Sequence, residues 1–202
     1  MGAPVGVADR LRPLVATLAA VAGCAATLTR SATAEADSVH LEPALSTAFV
    51  VPVSTSSVGA EGAVRLGIEL HPSWAIDVVG GVGVSFGTHP RGWIRLAAGP
   101  RWQSRLDGWW PHVGLRVWHI HDASRQSWME HFGANLVGDP SHGLMHTSCM
   151  ALAAGSSWPL TPRWAVFVEL EGALVVHAGG RDPGAPHGWV LAGAGVRWLQ
   201  RR

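Results

Sequence analysis

The sequence contains no lysine and no tyrosine, and its two cysteines are Cys24 and Cys149. Charged residues make up 14% of the chain, against about 25% in an ordinary soluble domain. Two cysteines, one of them inside the N-terminal apolar stretch, leave no disulfide framework of the kind that staples small secreted domains. The scarcity of charge and a formal net charge of +1 exclude a polybasic nucleic-acid binder, and a 48% hydrophobic content excludes a disordered chain. After the N-terminal region no segment reaches the roughly 18 consecutive apolar residues of a membrane-spanning helix. What the chain does have is a mean hydropathy of +0.19, 11 tryptophans, and 15 basic residues that are all arginine.

The N-terminus reads as an export signal. Arg10 and Arg12 precede an apolar stretch from Pro13 to Leu28, and Ser31-Ala32-Thr33-Ala34 supplies small residues ahead of Glu35. This order predicts a signal peptide over residues 1–34, a periplasmic linker over 35–44 and one domain over 45–202. Val21-Ala22-Gly23-Cys24 resembles a lipoprotein lipobox, so Cys24 is either lipidated or removed. Cleavage after Ala34 leaves 12 arginines against 13 acids, and the positive net charge belongs to the leader.

Hydrophobicity then alternates with period two, the signature of strands. Val64, Leu66, Ile68 and Leu70 share one face, opposite Arg65 and Glu69; Trp74, Ile76, Val78, Val82, Val84 and Phe86 lie opposite Asp77. Ile94, Leu96 and Ala98 oppose Arg95 and Arg101, and Val113, Leu115 and Val117 oppose His112 and Arg116. Trp164, Val166, Val168, Leu170, Leu174 and Val176 oppose Glu169 and Glu171, and Val190 to Trp198 opposes Arg197. With two less distinct segments, 45–54 and 144–158, this predicts eight antiparallel strands. The second face is too rich in glycine and alanine to be a watered exterior. It fits the narrow interior of an eight-stranded up-and-down transmembrane β-barrel, with the aliphatic face toward lipid.

Connections at 71–73, 104–108 and 159–163 are short, whereas 55–61, 178–187 and 121–142 are longer. Short periplasmic turns and longer extracellular loops have this asymmetry. Trp74, Trp102, Trp109, Trp110, Trp158, Trp164 and Trp198 cluster at the short-turn end as one interfacial girdle, and Trp93, Trp118 and Trp189 are expected to form a second at the other end. On these features residues from about Leu45 to Trp198 resemble the small eight-stranded outer-membrane β-barrel proteins of Gram-negative bacteria, the class that includes the OmpA and OmpX barrels. The resemblance implies the fold and a place in the outer membrane. Members of that class usually end on an aromatic residue, whereas here Trp198 is followed by Leu199, Gln200, Arg201 and Arg202.

The interior set is expected to be Arg65, Glu69, Asp77, Arg95, Arg101, Arg116, Glu169, Glu171 and Arg197, paired into a salt-bridged plug rather than a gated path, because eight strands leave room for little beyond side chains. Histidines 89, 119, 121, 131, 142, 146, 177 and 187 fall at the presumed outer end. His119-x-His121 puts two rings on one side of a strand, but with no further ligand evident the expectation is no metal and no cofactor. His146-Thr147-Ser148 resembles the His-x-Ser pair of barrel-type lipid A deacylases, yet no acid follows between Cys149 and Val168 to orient a base. The run Gly80-Gly81-Val82-Gly83 has no following helix or lysine and is no phosphate loop. The sequence therefore predicts a non-enzymatic, monomeric outer-membrane protein with a structural or surface-interaction role. Its bilayer lipids are one partner, and an extracellular partner meets Trp128, Met129, His131 and Phe132 in the loop 121–142. The alternatives are a narrow channel, a lipid A-modifying hydrolase and an exported lipocalin-like binder.

Overall fold

A computed structural model describes residues 40–179 and 185–199. The signal, the lipobox cysteine and residues 35–39 of the linker lie outside the described residues. Eight strands follow in chain order: β1 (His40–Val53), β2 (Ser57–His71), β3 (Trp74–Gly87), β4 (Arg91–Gln103), β5 (Trp110–Ser124), β6 (Met145–Thr161), β7 (Trp164–Gly179) and β8 (Gly188–Trp198). Each pairs antiparallel with the next, and β1 closes on β8 from Ala44 opposite Arg197 to Val53 opposite Gly188. Closure leaves no strand edge with unpaired amides, the condition for strands to cross a bilayer. No helix among the described residues is long and apolar enough to do so.

The period-two pattern sorts residues as the sequence predicts. In β7, Ala165, Phe167, Glu169, Glu171 and Ala173 are buried inside, while Trp164, Val168, Leu170, Leu174 and Val176 are exposed outside. The same outward belt runs through Phe49, Val58, Val78, Leu96, Val117, Leu152 and Val190. Aliphatic side chains exposed on every strand, over a polar interior, are dressed for lipid. A lipocalin-like soluble binder carries the opposite arrangement, so that alternative falls.

Four expectations need correction. The barrel begins at His40, not Leu45, because Glu42 and Ala44 already keep the inward parity and pair with Gly67 and Arg65; residues 40–44 are strand rather than linker. The expected loop 55–61 shrinks to residues 54–56, since Ser57, Gly59 and Glu61 continue the inward row of β2. Strand β5 continues to Ser124, so the long loop starts after it rather than at His121. Trp93, Trp118 and Trp189 do not form an outer girdle: they are 0%, 1% and 2% exposed and point into the barrel. Their parity is that of Arg95, Arg116 and Arg197, and each strand's alternation overrides the interfacial preference of an indole. At the turn end Trp74, Trp102, Trp109, Trp158 and Trp164 are exposed, with Trp74 opposite Trp102 and Trp164 opposite Trp198 across neighbouring strands, whereas Trp110 departs from the expected girdle: it keeps the inward parity of His112 and lies half-buried under the Arg105 guanidinium. Trp109 also donates to Ser156 Oγ at 2.9 Å.

The one long outer connection among the described residues carries two short helices, α1 (Arg125–Glu130) and α2 (Phe132–Val137), and a single 3-10 turn (Pro140–His142). Ser124 caps α1 by accepting the Ser127 amide at 3.2 Å, and Gly138 ends α2 in a left-handed conformation.

Candidate functional site

The interior is charged from turn to rim. Six arginines and seven carboxylates are buried among the described residues, and Arg105 reaching in from a turn brings the two signs level. Near the turns, Glu42 accepts from Arg101 at 2.6 Å and from Arg197 at 3.4 Å, Asp77 accepts from Arg101 Nε at 3.0 Å, and Glu69 takes Arg105. At mid-height Glu169 receives both terminal nitrogens of Arg65 and of Arg116, the latter at 2.8 and 3.0 Å, with His112 Nε2 at 3.1 Å. Arg116 also reaches Asp77 at 3.0 Å and Glu171 at 2.9 Å, tying the lower and upper groups together. Above it, Glu61 accepts from Arg95 at 2.5 Å and from the Trp93 indole at 2.9 Å, and Glu171 accepts from the Trp118 indole at 3.0 Å. At the rim Arg91 bridges to Asp122 at 2.5 Å.

All nine predicted interior residues face inward, Glu42 and Glu61 join them through Arg101, Arg197 and Arg95, and Arg91 pairs with Asp122 nearer the rim; sequence reasoning missed these four. Extending the inward parity of β1, β2 and β4 by two to four residues finds Glu42, Glu61 and Arg91, of which the expected linker 35–44 takes in Glu42 and the expected loop 55–61 takes in Glu61. Burial of so many charges requires that each meet an opposite one, and the shared carboxylates do this by serving several guanidiniums at once. A cavity of about 20 Å³ lies between Arg65, Arg95, Glu61 and Glu169, room for about one water. Glycine makes the large groups fit: a Cβ at Gly83 would stand 2.2 Å from the Trp93 ring, and one at Gly81 would stand 2.6 Å from the Glu61 carboxyl.

The outer rim is the second candidate. Trp128, expected to meet a partner, is 1% exposed: it packs with Ala123 and Leu144 and against the outward side chains Val82 and Ile94, so it anchors the loop to the outer wall. Phe132 stacks edge-on to it and is half-buried, and His131 lies flat on His142 with centroids 3.9 Å apart. Met129 remains exposed, as do Leu136 and Val137 of α2, the last at 79%. The eight outer-end histidines all lie at this end, and three converge. His119 and His121 share the outer face of β5, and His146 of β6 is the cross-strand partner of His121. His119 Nε2 is 2.9 Å from His121 Nε2 and 3.4 Å from His146 Nδ1, and His146 Nε2 is 3.2 Å from the Gly138 carbonyl.

That geometry bears on the hydrolase alternative. The His146 ring is engaged by His119 and Gly138 rather than by Ser148, and Cys149 is buried on the opposite face of β6. The nearby acids Glu169 and Glu171 are inside the barrel, so no carboxylate among the described residues orients His146 as a base.

No family model matches the sequence, and no curated protein matches it. Solved structures do match the fold. Neisserial surface protein A superposes with a TM-score of 0.59 at 12% identity, over 80% of this chain and 97% of that one. The N-terminal β-barrel domain of Pseudomonas aeruginosa OprF does so with a TM-score of 0.51 at 14% identity, over 79% and 96%. With the closed eight-strand ladder and the lipid-facing belt, these likenesses make the chain an eight-stranded β-barrel of the outer-membrane type.

Proposed function

We propose that the chain is a non-enzymatic, monomeric outer-membrane protein whose barrel is a closed scaffold and whose interaction surface is the outer loop 125–144. One observation carries the reading: arginines and carboxylates pair continuously along the interior, and where Arg65, Arg95, Glu61 and Glu169 meet, the cavity between them is about 20 Å³. An ion path needs a continuous wet column, and one water's worth of space is not one. The apolar belt encloses all eight strands, so bilayer lipid satisfies the barrel without a second copy or a cofactor. Function then moves to the rim, where a rigid wall presents a loop anchored by Trp128 and leaves Met129, Leu136 and Val137 free for an extracellular partner.

Planar-bilayer recording on the refolded full-length chain tests the closed interior. The expected trace has no stable unitary steps, and reproducible steps that vanish on adding a blocker to one side would turn the reading to a channel. A lipid A deacylation assay on the same preparation, beside Ser148→Ala, is expected to show no product from either; product from the parent alone would establish the hydrolase.

A further inference from the structure

The three converging imidazoles are used by neither the scaffold nor the loop's apolar contacts. We propose that His119, His121 and His146 form a binding site for a divalent transition-metal ion of the zinc, copper and nickel class. Two rings on one strand are half a site, which is why His119-x-His121 alone did not suffice. The β5–β6 register supplies the third by setting His146 directly opposite His121.

The three ligand atoms lie within 4.8 Å of one another, with nitrogen separations of 2.9 and 3.4 Å to His119 Nε2. Nitrogens bound tetrahedrally at ~2.1 Å stand ~3.4 Å apart, so an ion fits with small ring movements. The surroundings match what metal-bound histidines use. His146 offers Nδ1 to the cluster while Nε2–H donates to the Gly138 carbonyl, which fixes the tautomer with the lone pair inward. His121 is hydrogen-bonded in turn to the Asn135 backbone. Both carbonyl-bearing residues belong to the end of α2, and a Cβ on Gly138 would come within 2.9 Å of the His121 ring and 3.3 Å of the His146 ring. The loop backbone thus roofs the cluster, and an ion there would tie β5, β6 and the loop together. Imidazole-only coordination suits zinc, copper and nickel and not calcium or magnesium, which take oxygen donors. Three histidines leave the remaining position to water or to a donor from outside.

The experiment is zinc titration of the full-length chain in detergent micelles by competition with a chromogenic chelator, alongside the cobalt absorption spectrum of the unaltered chain. One equivalent of zinc and the intense visible bands of four-coordinate cobalt are expected. His119→Ala and His146→Ala should each weaken binding at least about tenfold, whereas His131→Ala/His142→Ala, removing the stacked pair, should leave it unchanged. Zinc should also slow proteolysis within residues 125–144 of the unaltered chain but not of His146→Ala. Heat-modifiable migration shows which variants are folded, and the cobalt spectrum of the unaltered chain decides the matter if they are not. No stoichiometric zinc, a spectrum of the free aqua ion, or binding that follows His131 and His142 instead would overturn the site.

Discussion

Glu169 ties three interior side chains together, and its replacement by glutamine should expose what they depend on. The carboxylate neutralises Arg65 and Arg116 together and accepts from His112. After Glu169→Gln, Arg116 still has Asp77 at 3.0 Å and Glu171 at 2.9 Å, so it stays compensated. Arg65 is left with Asp77 at 3.8 Å, and a side chain only 6% exposed then holds an almost unpaired charge. Removing one partner of a buried pair destabilises by ~3–5 kcal/mol, and Glu169→Gln should fall in that range. Because the loss comes from the stranded guanidinium, Arg65→Met/Glu169→Gln should be more stable than Glu169→Gln alone by at least ~1 kcal/mol. Reversible urea unfolding of the refolded barrel in lipid vesicles, followed by tryptophan fluorescence, measures Glu169→Gln, Arg65→Met and the double variant. A double variant whose loss equals the sum of the two single losses would refute the reasoning, since the charges would then act independently.

Three further outcomes follow from positions with different causes. Leu170→Arg, in the middle of the lipid-facing row of β7, should destabilise the barrel by ~2–4 kcal/mol in the same unfolding assay, because a charge is forced into hydrocarbon. Gly83→Ala should lose ~1–3 kcal/mol by driving a methyl into the Trp93 ring, whereas Gly172→Ala, with nothing within 4 Å, should stay within ~0.5 kcal/mol of the parent. Trp128→Ala should release the outer loop without weakening the strands; limited proteolysis should cut within residues 125–144 at least several-fold faster while urea unfolding is unchanged.

Most of the barrel was legible because one physical rule, alternation of side chains across a strand, operates at every position. It assigned Arg65, Asp77, Arg101, Glu169 and Arg197 to the interior without any knowledge of their partners. It failed where a residue type has a second preference. Indoles sit comfortably at membrane interfaces, and Trp93, Trp118 and Trp189 were assigned by that preference and by nearness to the outer end. Their partners explain the outcome: Glu61 and Glu171 satisfy two of the indole N–H groups inside, and Gly83 provides the space for Trp93. Such pairings depend on register between strands, which periodicity within one strand does not encode. The same limit hid the three-histidine cluster. His119 and His121 were visible as neighbours, but His146 lies 25 residues beyond His121 in the chain and meets them only because a helical loop returns β6 in the register it has.

The interior and the rim are linked by a single constraint. The interior of an eight-stranded barrel is only just wide enough for its own side chains, so a packed charged column there leaves little room for anything else. Here the column ends with Arg91 bridged to Asp122, one residue beyond His121 on β5 and facing the opposite way. The same strand end therefore carries an ion pair into the lumen on one face and presents imidazoles on the other. A loop that folded into the mouth would have buried polar backbone against that ion pair. By turning outward onto Val82 and Ile94, with Trp128 as its anchor, it meets apolar wall instead and brings Gly138 over the histidines. The position of the loop thus follows from the chemistry of the two faces of β5, and so does the juxtaposition of α2 with the proposed metal ligands.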